Sequence, residues 1–155
     1  MARIGFDLHG VLSPYDKQLS NGSEDKDDYL LFMTNLLSNT RSEGYEVWIV
    51  SGPPIEEIRA ELDALGYEMG VHYDQIVSVV DWLRKTGAEM TQDDKGHWWA
   101  SEEEWWSAKA KLCAYHEISE LTDDRMEYGQ YFKPPLIFHP WSVTTDKMRE
   151  VEEEQ

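Results

Sequence analysis

Short apolar runs alternate with longer stretches of helical periodicity along the 155 residues of this chain. The apolar runs predict five strands, at 3–8, 45–50, 75–80, 118–122 and 136–138. Apolar positions three and four residues apart predict helices at 27–42, 55–65 and 101–116, with a short helical turn after the third strand. Strands that alternate with helices are typical of an α/β fold: a mostly parallel, Rossmann-like sheet with helices on both faces, in three layers.

Polar segments separate these elements. The stretch at 13–26 predicts a loop, and Asp27 or Asp28 is the predicted N-cap of the first helix. Two short segments on either side of an Asp-Asp-Lys-Gly turn predict a β-hairpin at 87–99. A serine at 101, followed three residues later by a glutamate, predicts the N-cap of the next helix. The hairpin is therefore a small insertion between two helical segments.

Chemically useful side chains follow three of the predicted strands. Asp7 lies at the end of the first strand, Ser51 follows the second, and the pair Asp123-Asp124 follows the fourth. Because the carboxyl ends of parallel strands share one edge of the sheet, we expect these residues to lie together. Carboxylate oxygens suit Mg²⁺ better than zinc, and Lys109 lies on the helix before the fourth strand, within reach of the same edge. A metal, a lysine and a carboxylate around one anion favour phosphoryl transfer through an aspartyl-phosphate.

The same residues carry a family resemblance that spans nearly the whole chain. They stand in four sequence motifs, in this order along the chain: IGFDLHG, VWIVSG, SAKAKLC and ELTDDRMEYGQYF. In this order the motifs resemble those of the haloacid dehalogenase (HAD) superfamily of hydrolases. The chain is most similar to small bacterial and phage proteins of that superfamily that begin with D-x-H-G and carry a tryptophan-containing hairpin. The resemblance implies an HAD-like fold and a Mg²⁺-dependent phosphatase.

The resemblance also implies a role for each motif. Asp7 would be the nucleophile, and Mg²⁺ would be held by Asp7, the backbone carbonyl of His9, and Asp123 or Asp124. Ser51, with the adjoining Gly52, and Lys109 would bind the transferring phosphoryl group. Lys111 competes with Lys109 for this role, and the spacing to Cys113 in the similar proteins favours Lys109.

The chain departs from the HAD pattern at His9, where HAD phosphatases usually carry a second aspartate that protonates the leaving group. A histidine, with an ordinary pKa near 6.5, is able to act as a general acid in its place. The alternative is a side chain that takes no part, which would leave a slow or inactive enzyme. Removing general acid catalysis costs roughly 10² to 10⁴ in rate.

Four tryptophans lie on the predicted hairpin and at the start of the next helix: Trp98, Trp99, Trp105 and Trp106. One interpretation is ordinary packing. In the other, the hairpin overhangs the active edge, and Trp98 and Trp99 stack on a planar substrate such as a base. We interpret the histidines other than His9 as surface or core residues, and Cys113 as a buried apolar side chain.

The net charge of −17 opposes binding to nucleic acid or to an anionic membrane. One cysteine and the lack of an N-terminal signal pattern predict a cytoplasmic protein. We expect one domain at 1–145 and a flexible acidic tail at 146–155.

The chain has no segment long enough for a separate cap domain. The site would therefore be open, unless a second copy in a homodimer covers it. The expected substrate is a small phosphorylated metabolite or nucleotide. Two alternatives remain: an inactive HAD-like acidic protein that binds a partner protein, and a nucleotide-binding module built on the tryptophans.

Overall fold

The computed structural model describes residues 2–15, 18–19 and 23–142, and the predicted tail at 146–155 lies outside them. The strands are β1 (Arg3–Phe6), β2 (Glu46–Ser51), β3 (Gln75–Ser78), β4 (Thr91–Gln92), β5 (Trp98–Trp99), β6 (Ile118–Asp123) and β7 (Ile137–Pro140). The helices are α1 (Ser23–Ser42), α2 (Ile55–Leu65), α3 (Val79–Lys85), α4 (Glu102–Tyr115) and α5 (Met126–Gly129).

Five of the strands form one parallel sheet in the order β3-β2-β1-β6-β7. The chain moves outward from β1 through β2 to β3 and then returns to the other side of β1 as β6. The strand order therefore reverses between β1 and β6, and in open α/β sheets ligands bind outside the carboxyl ends of the strands at such a point. The predicted parallel α/β sheet is confirmed and is compatible with a Rossmann-like fold.

Alternate strand residues face two separate cores. On β2, Val47 and Ile49 pack with residues of α1 and α2, whereas Trp48 and Val50 pack with Leu112 of α4 and its neighbours. This period of two is what a sheet covered by helices on both faces requires. The predicted three layers are therefore present in the described residues.

The first helix begins earlier than predicted. The predicted loop at 13–26 is wrong over 23–26, since α1 starts at Ser23 rather than after Asp27 or Asp28. The residues of the first turn of α1 are polar. Because polar residues are common both in loops and at the start of helices, the sequence did not distinguish the two. Acidic residues in that turn are favourable because the helix dipole is positive there.

Strand ends also differ from the predictions. Val79 and Val80, predicted to end the third strand, begin α3, because the Ser78 hydroxyl caps that helix by accepting the N–H of Asp81 at 3.1 Å. Ser51 and Asp123 are the last residues of their strands rather than the residues after them. Each lies at the carboxyl edge of the sheet, as predicted.

The hairpin insertion is confirmed. β4 and β5 pair antiparallel, and the turn between them is held by Asp93, whose carboxylate accepts the backbone N–H of Lys95 and of His97, each at 2.9 Å. Ser101 caps α4 by accepting the N–H of Glu104 at 3.2 Å. No helix among the described residues is long and apolar enough to cross a membrane.

Candidate functional site

The turn after β1 places Asp7 at the point where the strand order reverses. The N–H of Asp7 donates to the carbonyl of Thr122 on β6 at 2.9 Å, which extends the β1–β6 pairing by one residue. The chain then turns back on itself, and the N–H of Ser13 donates to the carbonyl of Leu8 at 2.8 Å. Gly10 has a φ of +83°, a conformation that glycine adopts without strain. Gly10 therefore allows the sharp turn that follows β1.

Two buried tyrosine hydroxyls hold this turn by donating to its backbone carbonyls. Tyr29 of α1 donates to the carbonyl of Val11 at 2.5 Å, and Tyr67, after α2, donates to the carbonyl of Leu12 at 2.7 Å. Carbonyls buried without such donors would cost about 1–3 kcal/mol each. α1 and the segment that follows α2 therefore fix the loop that carries Asp7.

The centre of the site is the buried ammonium of Lys109, which is 1% exposed. Its Nζ donates to Asp7 Oδ1 at 3.0 Å and to Asp123 Oδ2 at 2.5 Å, and it lies 4.2 Å from the ring centre of Tyr128. α4 thus places the ammonium of Lys109 between the carboxyl ends of β1 and β6. Lys111, the competing lysine, is exposed. The geometry agrees with the choice of Lys109.

Burial and mutual attraction shift the pKa values of this cluster. Burial raises the pKa of Asp7, more than Lys109 lowers it, and burial likewise raises the pKa of Asp123 to about 6. For Lys109, burial lowers the pKa, but the carboxylates of Asp123 and Asp7 raise it above its ordinary value. The ammonium is therefore held in its charged form, while burial still disfavours the charged forms of Asp7 and Asp123.

A third carboxylate completes the cluster. One carboxylate oxygen from each of Asp7, Asp123 and Asp124 lies within 4.8 Å of the others. Among the described residues, Asp124 Oδ1 is buried without a hydrogen-bond partner. Hard oxygen donors in such a group suit a small divalent cation such as Mg²⁺. A cation would also offset the burial and the mutual repulsion that raise the pKa values of Asp7, Asp123 and Asp124.

Space for the third carboxylate depends on Gly10. A Cβ added at Gly10 would lie 2.1 Å from Asp124 Oδ2, well inside any allowed contact. Gly10 therefore allows both the backbone turn and the close approach of Asp124. Asp124 lines the cavity described below, whereas Asp123 is fully buried behind Lys109.

Ser51 ends β2 at the same edge. Its hydroxyl is buried and, within the described part of the chain, has no hydrogen-bond partner. The backbone just after it is held by α3, because the N–H of Val80 donates to the carbonyl of Gly52 at 3.0 Å. An unsatisfied buried hydroxyl at a strand end is a group that an anionic ligand could satisfy.

His9 lies at the edge of the site and is held by a residue of α2. Its Nε2 lies 2.5 Å from Glu61 Oε2, and its side chain is about one-third exposed (35%). The ring is thus fixed by a carboxylate while it stays open to solvent. This is the arrangement in which a second group orients an acid–base histidine.

One cavity of about 650 Å³ brings most of these residues together. Its lining includes eight of the predicted site residues: Asp7, His9, Ser51, Gly52, Trp98, Trp99, Lys109 and Asp124. The ninth predicted residue, Asp123, contacts Lys109 from behind the cavity wall, and the competing Lys111 is exposed.

Several lining residues were missed by the sequence interpretation. Glu61 lies nearly two turns into α2. A glutamate at such a position is common on helix surfaces, so the sequence gives no sign of a function there. Tyr128 stands in the sequence just after the paired aspartates, and that position was the available clue to its role. His97, interpreted as a surface or core residue, also lines the cavity.

Compared with family models, curated proteins and solved structures, the chain shows no match. A proposal about function therefore rests on the residues of the site.

The buried ammonium makes a prediction for stability. Lys109→Met leaves Asp7 and Asp123 buried with no cation between them, and we expect the free energy of unfolding to fall by about 3–5 kcal/mol. Lys111→Met removes an exposed lysine two residues away and should change it by less than about 0.5 kcal/mol. Urea unfolding of both variants measures the difference. Equal stability of the two variants would show that the ammonium does not hold the carboxylates together.

Proposed function

We propose that this protein is a Mg²⁺-dependent phosphohydrolase of the HAD type, without a full cap domain, that hydrolyses phosphomonoesters through an aspartyl-phosphate. The observation that carries the proposal is the placement of Lys109 between Asp7 and Asp123 at the reversal of the strand order. The partnerless oxygens of Ser51 and Asp124 at the same edge support it.

In this proposal the Asp7 carboxylate attacks the phosphorus atom. The new Asp7 O–P bond forms as the bond to the leaving oxygen breaks, and His9 gives that oxygen a proton. A water molecule then attacks the phosphorus and loses a proton to His9. The Asp7 O–P bond breaks, and inorganic phosphate and free Asp7 result. Lys109 and the Ser51 hydroxyl bind the phosphoryl oxygens, on which negative charge is concentrated throughout.

Asp7, Asp124 and Asp123 would hold Mg²⁺, with the backbone carbonyl of His9 as a further ligand. The bound ion would supply Lewis-acid neutralisation of the phosphoryl oxygens. Asp124 is the better placed of the paired aspartates, since it lines the cavity while Asp123 is engaged by Lys109 and by the N–H of Arg125 at 3.0 Å.

His9 takes the role of acid and base, and Glu61 is its positioning residue. The contact of 2.5 Å with Glu61 Oε2 holds the ring in the cavity lining. The substrate class is a small phosphorylated metabolite or nucleotide, because the surplus of acidic residues disfavours nucleic-acid ends. We place the enzyme in the cytoplasm and leave open a homodimer that covers the site.

The nucleophile is tested by Asp7→Asn. Because the amide cannot form the covalent intermediate, we expect the Mg²⁺-dependent hydrolysis of p-nitrophenyl phosphate to fall by more than about 10³-fold. Asp63→Asn, an exposed change on α2, is the matched control and should keep the wild-type rate. Full activity in Asp7→Asn would contradict the mechanism. A wild-type protein that hydrolyses no phosphate ester would instead favour the inactive, partner-binding alternative.

The role of His9 is tested by the choice of leaving group. In His9→Ala, kcat/KM for an alkyl phosphate, which covers the steps through departure of the leaving group, should fall by about 10² to 10⁴, because its alkoxide must be protonated as it leaves. The fall for p-nitrophenyl phosphate should be much smaller, since nitrophenolate leaves without a proton. Steady-state kinetics on both esters measure the two falls. Equal falls would show that His9 supports the structure of the site rather than proton transfer.

The metal site is tested without catalysis. Mg²⁺ at 100 times its dissociation constant should raise the free energy of unfolding by about 2.7 kcal/mol. Asp124→Asn should abolish most of this gain, and Asp63→Asn should keep it. Urea unfolding with and without Mg²⁺ gives the values. A gain that survives in Asp124→Asn would place the ion elsewhere.

A further inference from the structure

The cavity is much larger than a phosphoryl group requires. Its volume of about 650 Å³ lies in the range of sites that enclose whole small molecules, about 300–1,000 Å³. The carboxylates, Lys109 and Ser51 occupy one end. The remainder is lined by the segment after β2 and by α2 on one side, and by α4, α5 and the β4–β5 hairpin on the other. This outer part of the cavity is therefore available for the leaving group of a substrate.

Aromatic side chains lead outward from the phosphoryl end along two paths. On the first path, the Tyr128 ring lies 4.2 Å from Lys109 Nζ, and Trp106 meets Tyr128 edge to face with ring centres 4.8 Å apart. On the second path, the Trp105 ring lies against Gly52, next to Ser51, and Trp99 packs on Trp105 at 5.4 Å. We call Trp99, Trp105, Trp106 and Tyr128 the aromatic wall.

The outermost member of the aromatic wall is held in place and yet exposed. The indole N–H of Trp99 donates to Asp93 Oδ2 at 2.9 Å, and the same carboxylate organises the hairpin turn. Even so, 47% of the Trp99 surface is open to solvent. The ring is therefore oriented by the hairpin while part of its surface stays free for contact with a ligand in the cavity that it lines. Trp98, beside it, packs under the guanidinium of Arg84 at 5.1 Å.

The charges around the cavity limit the ligand to one phosphoryl group. Glu57, Glu61 and Asp124 line it, and the Arg125 guanidinium is paired with Glu127. Lys109 is already shared by two carboxylates. A second or third phosphate in the outer part would face acidic side chains in a protein of net charge −17.

Resting on the proposed phosphohydrolase function, we propose that the aromatic wall recognises the planar ring of the leaving group, and that nucleoside monophosphates are the substrate class. The phosphoryl group lies at Asp7 and Lys109, and the base stacks on the exposed face of Trp99. Base–aromatic stacking is sequence-tolerant, because every base offers a π-face. The site would therefore accept several bases.

The test compares kcat/KM for adenosine monophosphate, p-nitrophenyl phosphate and glycerol 3-phosphate. Trp99→Leu should lower the ratio of adenosine monophosphate to glycerol 3-phosphate by about 5- to 100-fold, the range for loss of one stacked ring. Trp99→Phe loses the bond to Asp93 but keeps a ring, and should keep most of the ratio. Tyr115→Leu removes an exposed aromatic ring that does not line the cavity and should leave the ratio unchanged. Far-UV circular dichroism checks that each variant is folded.

The outcomes separate this inference from the proposed function. An unchanged ratio in Trp99→Leu overturns the inference, while hydrolysis that depends on Asp7 still stands. A ratio of p-nitrophenyl phosphate to glycerol 3-phosphate that falls alone would assign the wall to simple aryl phosphates and overturn the nucleotide class. If the wild type hydrolyses none of the esters, calorimetric titration with adenosine monophosphate and glycerol 3-phosphate decides. Tighter binding of the nucleotide that Trp99→Leu weakens supports the inference, and equal or absent binding overturns it.

Discussion

A single buried ammonium organises the site. Lys109 reaches from α4 to the ends of β1 and β6, where it bonds to Asp7 and Asp123 at the place where the strand order reverses. Two carboxylates so close together and so deeply buried repel one another and lose their hydration, and one cation offsets both costs. These two hydrogen bonds therefore join α4 to the carboxyl ends of β1 and β6 and fix the relative positions of the three charged side chains.

The cation does not neutralise the whole cluster. Asp124 adds a third carboxylate with one partnerless oxygen, and burial leaves the pKa values of Asp7, Asp123 and Asp124 raised. In such a site burial and mutual repulsion disfavour the charged forms of the three carboxylates. A divalent cation and a phosphoryl group would together complete it, which links the electrostatics of the folded protein to the proposed reaction.

Much of the site could be predicted from local sequence, because parallel strands bring their carboxyl ends to one edge. Asp7, Ser51 and Asp124 follow from that rule alone. The choice of Lys109 over Lys111 came from the family resemblance, and the structure shows its physical basis: only Lys109 faces the sheet. Glu61 and the tyrosine hydroxyls of Tyr29 and Tyr67 could not be found, because their roles arise from contacts between segments far apart in sequence. Val79 and Val80 read as strand because β-branched residues favour strands, but the Ser78 cap overrides that preference.

The central claim is that Asp7 is the nucleophile in a Mg²⁺ site. The most direct measurement is a crystal structure of the protein grown with Mg²⁺ and beryllium fluoride, which mimics a phosphoryl group on a carboxylate. The account predicts a beryllium fluoride adduct on Asp7, with Mg²⁺ beside it bound to Asp124 and with Lys109 and Ser51 contacting the fluorines. An Asp7 carboxylate without the adduct, at saturating beryllium fluoride and with Mg²⁺ bound, would contradict it.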